Sequence, residues 1–226
     1  YYHPILPLIY DSDLAKLCQS KDPMPARFHF PEDAEAQVAK AIVYFKKLFG
    51  ISPTGMWPAE GAVAYDVAAV FAKHGIKWIA TDEKILARSK VKNTAKYYPY
   101  ALSGEGAGDP VAIVFRDTEL SDKIGFTYQS YKGEDAANDF IQGILKYAPA
   151  ENEPDRLLTV ILDGENAWEW YRFDNDGKEF QNALYRKLSE LYETRTVVTT
   201  TATEYIEGNP SRGISPHPIK SMVRLT

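Results

Sequence analysis

The chain has a single cysteine among its 226 residues. Cys18 can therefore form no internal disulfide and no thiolate metal cluster, and it reads as a small apolar core residue. Histidine is scarce as well: His3, His29, His74 and His217 stand far apart, no His-x-x-x-His pair occurs, and no metal site is expected. Long apolar runs are missing. The longest, such as Val111 to Phe115 and Leu157 to Leu162, have the length of strands and could not span a bilayer. No block of Lys or Arg dominates and the net charge is −5, which argues against nucleic acid or an anionic membrane as partner. The opening Tyr1-Tyr2-His3-Pro4-Ile5-Leu6-Pro7 shows no leader pattern, and a cytoplasmic location is expected.

What remains is the composition of an ordinary globular protein, 45% hydrophobic and 25% charged. The length suits one α/β domain, or part of a larger one. Aromatic residues are abundant, with 15 Tyr and 4 Trp. They fit either a large core or a surface on which sugar rings stack.

Helical and strand patterns alternate. Residues 31 to 49 open on Pro31 with Glu32 and Asp33 in the first turn, carry Val38, Ile42, Phe45 and Phe49 at helical spacing, and stop at Gly50. Helices are also predicted over 61–74, 133–147 and 177–193, the last with Phe180, Leu184, Leu188 and Leu191 inward. Strands are predicted at Ile76–Ala80, Val111–Phe115, Leu157–Leu162 and the β-branched Thr196–Thr203. Apolar strands alternating with amphipathic helices imply a parallel sheet covered by helices. The Gly-rich stretch from Ser103 to Asp109 reads as a flexible loop. Its Gly104-x-Gly106-x-x-Asp109 precedes a strand instead of following one, so it is a poor nucleotide fingerprint.

In parallel α/β architectures the chemistry sits at the carboxyl ends of the strands. Polar clusters fall there: Thr81-Asp82-Glu83 after the first strand, Arg116-Asp117 after the second, and Asp163-Gly164-Glu165-Asn166 after the third. Glu60, in Gly55-Met56-Trp57-Pro58-Ala59-Glu60-Gly61, precedes a predicted helix. It serves either as a first-turn carboxylate on the helix dipole or as a catalytic group beside a sugar-stacking Trp57. Asp163 ends a buried strand, where desolvation would raise its pKa toward that of a general acid; a turn-capping role is the alternative. Glu165, Asn166, Trp168 and Trp170 crowd the same loop and suit carbohydrate. Asp82 and Glu83 form either a strand-to-helix turn or a ligand contact. Arg116 and Asp117 form either a structural ion pair or a ligand contact. His3 either hydrogen-bonds a substrate hydroxyl or is a loop histidine without a role.

The same residues resemble glycoside hydrolase family 57, whose members include α-amylases, glucanotransferases, amylopullulanases and branching enzymes. Tyr1-Tyr2-His3-Pro4-Ile5-Leu6-Pro7-Leu8 resembles the stretch after that family's second conserved region. Gly55 to Gly61 resembles the third region, whose Glu is the nucleophile, and Val160-Ile161-Leu162-Asp163-Gly164-Glu165 the fourth, whose Asp is the general acid/base. Phe115-Arg116-Asp117 through Leu120-Ser121-Asp122 and Ile124-Gly125-Phe126 is also similar.

The resemblance implies an α/β fold, part of an incomplete (β/α)7 barrel with parallel strands and surrounding helices. The family's His-Gln-Pro region is absent, its second region would precede Tyr1, and a Gly-Ser-Trp region would follow Thr226. Residues 1–226 are thus expected to be one catalytic-domain fragment, lacking the first strands and the C-terminal region. The implied activity is α-amylase-like hydrolysis of α-glucans such as starch, glycogen or maltooligosaccharides, with retention. Glu60 would attack the anomeric carbon, and Asp163 would protonate the leaving oxygen and then activate water, the two carboxyl groups standing about 5–5.5 Å apart. His3, Trp57, Asp82, Glu83, Arg116, Asp117, Glu165 and Trp168 would line the subsites. No metal or organic cofactor is implied, and the remainder of the polypeptide is the expected partner. Alternatives are 4-α-glucanotransferase or branching activity, a non-catalytic carbohydrate-binding piece, and a metal-dependent deacetylase, which the scattered histidines disfavour.

Overall fold

A computed structural model describes residues 1–89, 91, 95–102, 110–165, 168–220 and 225. The Gly-rich stretch from Ser103 to Asp109, with its Gly104-x-Gly106-x-x-Asp109 fragment, lies outside the described residues, and so does Asn166. The chain divides into two compact units. The first comprises Tyr1–Phe115 with Ala202–Thr226, and the second Arg116–Thr201.

The first unit contains helices α1 (Leu6–Tyr10), α2 (Ala15–Cys18), α3 (Pro31–Phe49), α4 (Ala68–Lys73), α5 (Glu83–Arg88) and, from the far end of the sequence, α9 (Ala202–Glu207). Its strands are β1 (Gly55–Met56), β2 (Trp78–Asp82), β3 (Tyr100–Leu102) and β4 (Val111–Arg116), whose last residue opens the second unit. They form one open sheet in the order β1-β2-β4-β3. β1 and β2 are parallel, with Gly55 opposite Trp78, whereas β3 and β4 are antiparallel, with Ala101 opposite Ala112. The sheet is therefore mixed, and the all-parallel expectation is corrected. The reason is connection length: only residues 103–110 link β3 to β4, too few for the crossover of a dozen or more residues that a parallel pair requires. β4 is buried along Val111–Phe115, and Val38, Val67, Phe71, Ile79 and Leu102 pack with it. Cys18 is exposed, not a core residue, because it ends the short α2 at the surface.

The second unit contains α6 (Thr118–Asp122), α7 (Gly133–Leu145) and α8 (Lys178–Glu193). Phe140, Phe180, Tyr128 and Tyr171 form its buried centre. The Tyr128 hydroxyl donates to Asp139 at 2.7 Å; burial pushes the hydroxyl's pKa up, and the hydrogen bond holds the Asp139 carboxyl below its usual range. Asp174 is almost fully buried and accepts from the backbone N–H groups of Glu179 (2.6 Å) and Phe180 (2.9 Å), satisfying donors at the start of α8.

Two expected strands do not form. Leu157–Leu162 makes a single parallel bridge, Thr159 to Arg116, within the second unit. Its neighbouring backbone groups are taken by side chains instead: Arg116 Nε donates to the Ile161 carbonyl at 2.9 Å, and the Ile161 N–H donates to Ser121 Oγ at 3.2 Å. Thr196–Thr203 is not laddered either, and its last two residues begin α9. Hydroxyl contacts such as Thr194 with Thr196 and Thr200 with the Thr201 carbonyl compete with the ladder. The helix expected over 61–74 is shortened to a 3-10 turn at Tyr65–Val67 followed by α4, because residues 59–62 form a tight turn. No described helix is long and apolar enough to cross a membrane.

Among the described glycines of the first unit, Gly55 carries the sharpest steric demand. A Cβ there would lie 2.0 Å from Trp78 Cε2, and that indole is held in place by Nε1 donating to Thr203 Oγ1 at 2.9 Å. Gly55→Ala is expected to destabilise the protein by about 3 kcal/mol, the upper range for overpacking a site whose neighbour cannot yield. Urea unfolding measures this, and a loss below about 1 kcal/mol would mean that the indole turns aside freely.

Candidate functional site

Glu60 sits on a four-residue turn, Ala59 to Ala62, closed by the Ala62 N–H donating to the Ala59 carbonyl at 3.1 Å. Both central residues have positive φ, 58° at Glu60 and 63° at Gly61, the signature of a type I′ turn. Gly61 takes that conformation freely. Glu60 does not, since its Cβ is crowded in the left-handed region, and such strain persists only where the surroundings hold it.

Those surroundings are explicit. Trp57 lies against Gly61, so closely that a Cβ there would sit 2.9 Å from its Cζ2. Thr81, fully buried near the end of β2, donates its hydroxyl to the Gly61 carbonyl at 2.6 Å. Pro58, buried and rigid, leads into the turn. Glu60 is therefore not a first-turn carboxylate on a helix dipole: α4 starts only at Ala68. Its carboxylate is exposed and accepts a hydrogen bond from His3 Nε2 at 2.9 Å. Of the sequence-predicted residues, Glu60, Trp57 and His3 are thus brought together. Thr81 stood in the sequence only as a member of the polar cluster after the first strand, with no role of its own; the structure gives it one, holding the Gly61 carbonyl.

Asp82 caps α5, accepting from the Lys84 N–H at 2.9 Å, and Glu83 pairs with Lys96 at 2.6 Å. The strand-to-helix turn is thus visible in their contacts. The remaining candidates belong to the second unit. Arg116 spans from the Ile161 carbonyl to Asp122, which its Nη2 meets at 2.6 Å, so it fastens the 157–162 segment to α6. Asp117 is buried and caps α6 through the Leu120 N–H at 2.8 Å.

Asp163 and Glu165 lie together, the Glu165 N–H donating to Asp163 Oδ1 at 3.2 Å. Both are exposed, so the desolvation expected of Asp163 is corrected. The cause is the missing strand: no ladder draws this segment into a sheet. Trp168 packs on Tyr171 and Phe180, with ring centroids 5.4 and 6.4 Å away, which places it at the edge of the second unit's core. Trp170 is half exposed beneath the Arg172 guanidinium. The remaining histidines are dispersed: His29 beside Asp11, His74 beside Glu35, and His217 stacked on Tyr205.

Sequence comparison matches residues 1–220 to the family described as glycosyl hydrolase family 57. No curated relative matches. Among solved structures, the chain is similar to a 4-alpha-glucanotransferase from Thermococcus litoralis (17% identity, TM-score 0.64), covering 86% of this chain and 27% of that one. It is also similar to a GH57-type branching enzyme from the hyperthermophilic archaeon Pyrococcus horikoshii (17% identity, TM-score 0.67), covering 99% of this chain and 45% of that one. A third likeness is to an exo-type maltose-forming amylase from Pyrococcus sp. ST04 (14% identity, TM-score 0.54), covering 96% and 31%. The chain thus spans less than half the length of each structure.

Proposed function

The chain belongs to glycosyl hydrolase family 57, and we propose that it forms part of the catalytic domain, of (β/α)7 type, of an α-amylase-like enzyme that cleaves α-glucans with retention. The observation that carries this reading is the strained turn presenting Glu60 in the sequence Trp57-Pro58-Ala59-Glu60-Gly61. Backbone strain at an exposed carboxylate is of no use to stability, whereas a nucleophile gains from being held rigidly.

In the proposed reaction a Glu60 oxygen forms a bond to the anomeric carbon as the glycosidic C–O bond breaks. Asp163 gives its proton to the departing oxygen. Asp163, now a carboxylate, next takes a proton from water, and the hydroxide oxygen displaces Glu60 from the sugar. When a sugar hydroxyl replaces water, the same steps amount to transfer. The glucanotransferase and branching enzyme among the matched structures favour that as the second reading. Trp57, which lies against Gly61, offers an aromatic face for a sugar ring, and the remainder of the polypeptide supplies the other subsites.

The test is to incubate the complete polypeptide with a maltooligosaccharide and follow the first products by proton NMR. The α-anomer is expected to appear before mutarotation, with new reducing ends for hydrolysis, or with longer chains and no net gain of reducing ends for transfer. A β-anomer formed first would overturn the double displacement.

A further inference from the structure

His3 and Glu60 are 57 residues apart in sequence and meet through one hydrogen bond, Nε2 to Oε1 at 2.9 Å. Each is held in the left-handed region, φ 64° for His3 and 58° for Glu60. His3 is doubly unusual there, because the Pro4 ring that follows it disfavours anything but extended backbone. The preceding residues are tied down: the Tyr2 N–H donates to Gln37 Oε1 on α3 at 3.2 Å. The pair is also largely in water, with side chains 60% and 71% exposed, and exposed ion pairs add little to stability. Two strained residues are thus spent on a contact that does not repay them in folding.

We propose that His3 is a positioning residue for Glu60: its Nε2–H fixes Oε1 and so presents Oε2 as the attacking oxygen. Among the described residues, His3 alone hydrogen-bonds this carboxylate. The arrangement is consistent through the reaction. When Oε2 is esterified, Oε1 becomes the ester carbonyl and still accepts from Nε2; when the ester breaks, the returning negative charge is met by a donor already in place. His3 gives up no proton and touches no sugar. This inference rests on Glu60 being the nucleophile.

The experiment measures kcat and KM on a maltooligosaccharide for the complete polypeptide and its His3→Gly, His3→Gln and Glu60→Ala variants, with thermal midpoints. His3→Gly relieves the strained backbone, so folding is secure, and it removes the donor. Its kcat is expected to fall about 30- to 100-fold, the scale of a misplacement of about 1 Å, with KM within about threefold. His3→Gln places an amide N–H near the Nε2 position and is expected to recover at least about tenfold of that loss. A His3→Gly enzyme with unchanged kcat overturns the proposal, and so does a loss confined to KM, or a Gln variant no better than Gly. If Glu60→Ala is dead while His3→Gly has full kcat, only the positioning role falls. If Glu60→Ala remains active, the nucleophile assignment falls first and takes this inference with it.

Discussion

Glu60→Gln in the complete polypeptide is expected to lose kcat by at least about 10³-fold, about 4 kcal/mol of transition-state stabilisation, with no loss of thermal stability. The amide has the shape of the carboxylate and its oxygen still accepts from His3 Nε2. Nothing in the turn depends on the charge, since its hydrogen bonds run between backbone groups and from Thr81. What disappears is the anionic oxygen that forms the glycosyl ester in the proposed reaction. A companion variant sharpens the point. Glu60→Gly has the glycine that a type I′ turn prefers at this position, so it should unfold at the same or a higher temperature while being equally inactive. An active Glu60→Gln enzyme, within about tenfold of wild type, would remove Glu60 from the chemistry. A Glu60→Gly protein of lower stability would contradict the strain argument.

The second large effect is expected at Asp163. Asp163→Ala should slow cleavage of unactivated glucans by about 10²- to 10⁴-fold, the usual worth of a positioned general acid. The loss should depend on the leaving group. From a glycosyl fluoride the fluoride ion departs without a proton, so the first step survives and the ester on Glu60 accumulates, detectable as a mass increase of the intact protein. The second step still lacks its base, and added azide, a nucleophile that needs no deprotonation, should restore turnover of the fluoride. An equal loss on the fluoride and on glucan, with no accumulating ester and no azide effect, would exclude Asp163 as acid/base.

Local patterns in the sequence translated well into helices. α3 runs over Pro31–Phe49 as its periodicity predicts, α8 begins at Lys178 and buries Phe180 and Leu184, and α7 buries Ala136 and Phe140. These elements are decided by one apolar stripe and its end signals, which are local. Strands were less legible because pairing is not local. Leu157–Leu162 has a strand's composition, but whether it ladders depends on Arg116 and Ser121, far off in the sequence. β3 left no signal at all, being three residues whose partner lies across a Gly-rich connection. At the candidate site the sequence singled out the segment around Glu60, and the turn's geometry was not legible in it. A Glu is a poor predictor of positive φ, and only Gly61 hinted at it. Asp163 was expected to be buried at the end of a strand; without the ladder that segment stays exposed.

The first unit draws on both ends of the sequence, Tyr1–Phe115 and Ala202–Thr226, with the second unit threaded between them. During synthesis the inserted unit is complete once residue 201 has left the ribosome. The unit bearing Glu60 is then still short of Thr203, which fixes Trp78, of Glu207, which pairs with Lys77, and of Lys220, which bridges to Tyr100. Until those residues emerge, the β3 flank stays unbridged and the indole of Trp78 unanchored, while every residue of the later-made unit is already available. Vectorial translation thus reverses the order of the sequence, and the stage most exposed to wrong edge-to-edge association falls on the unit that started first.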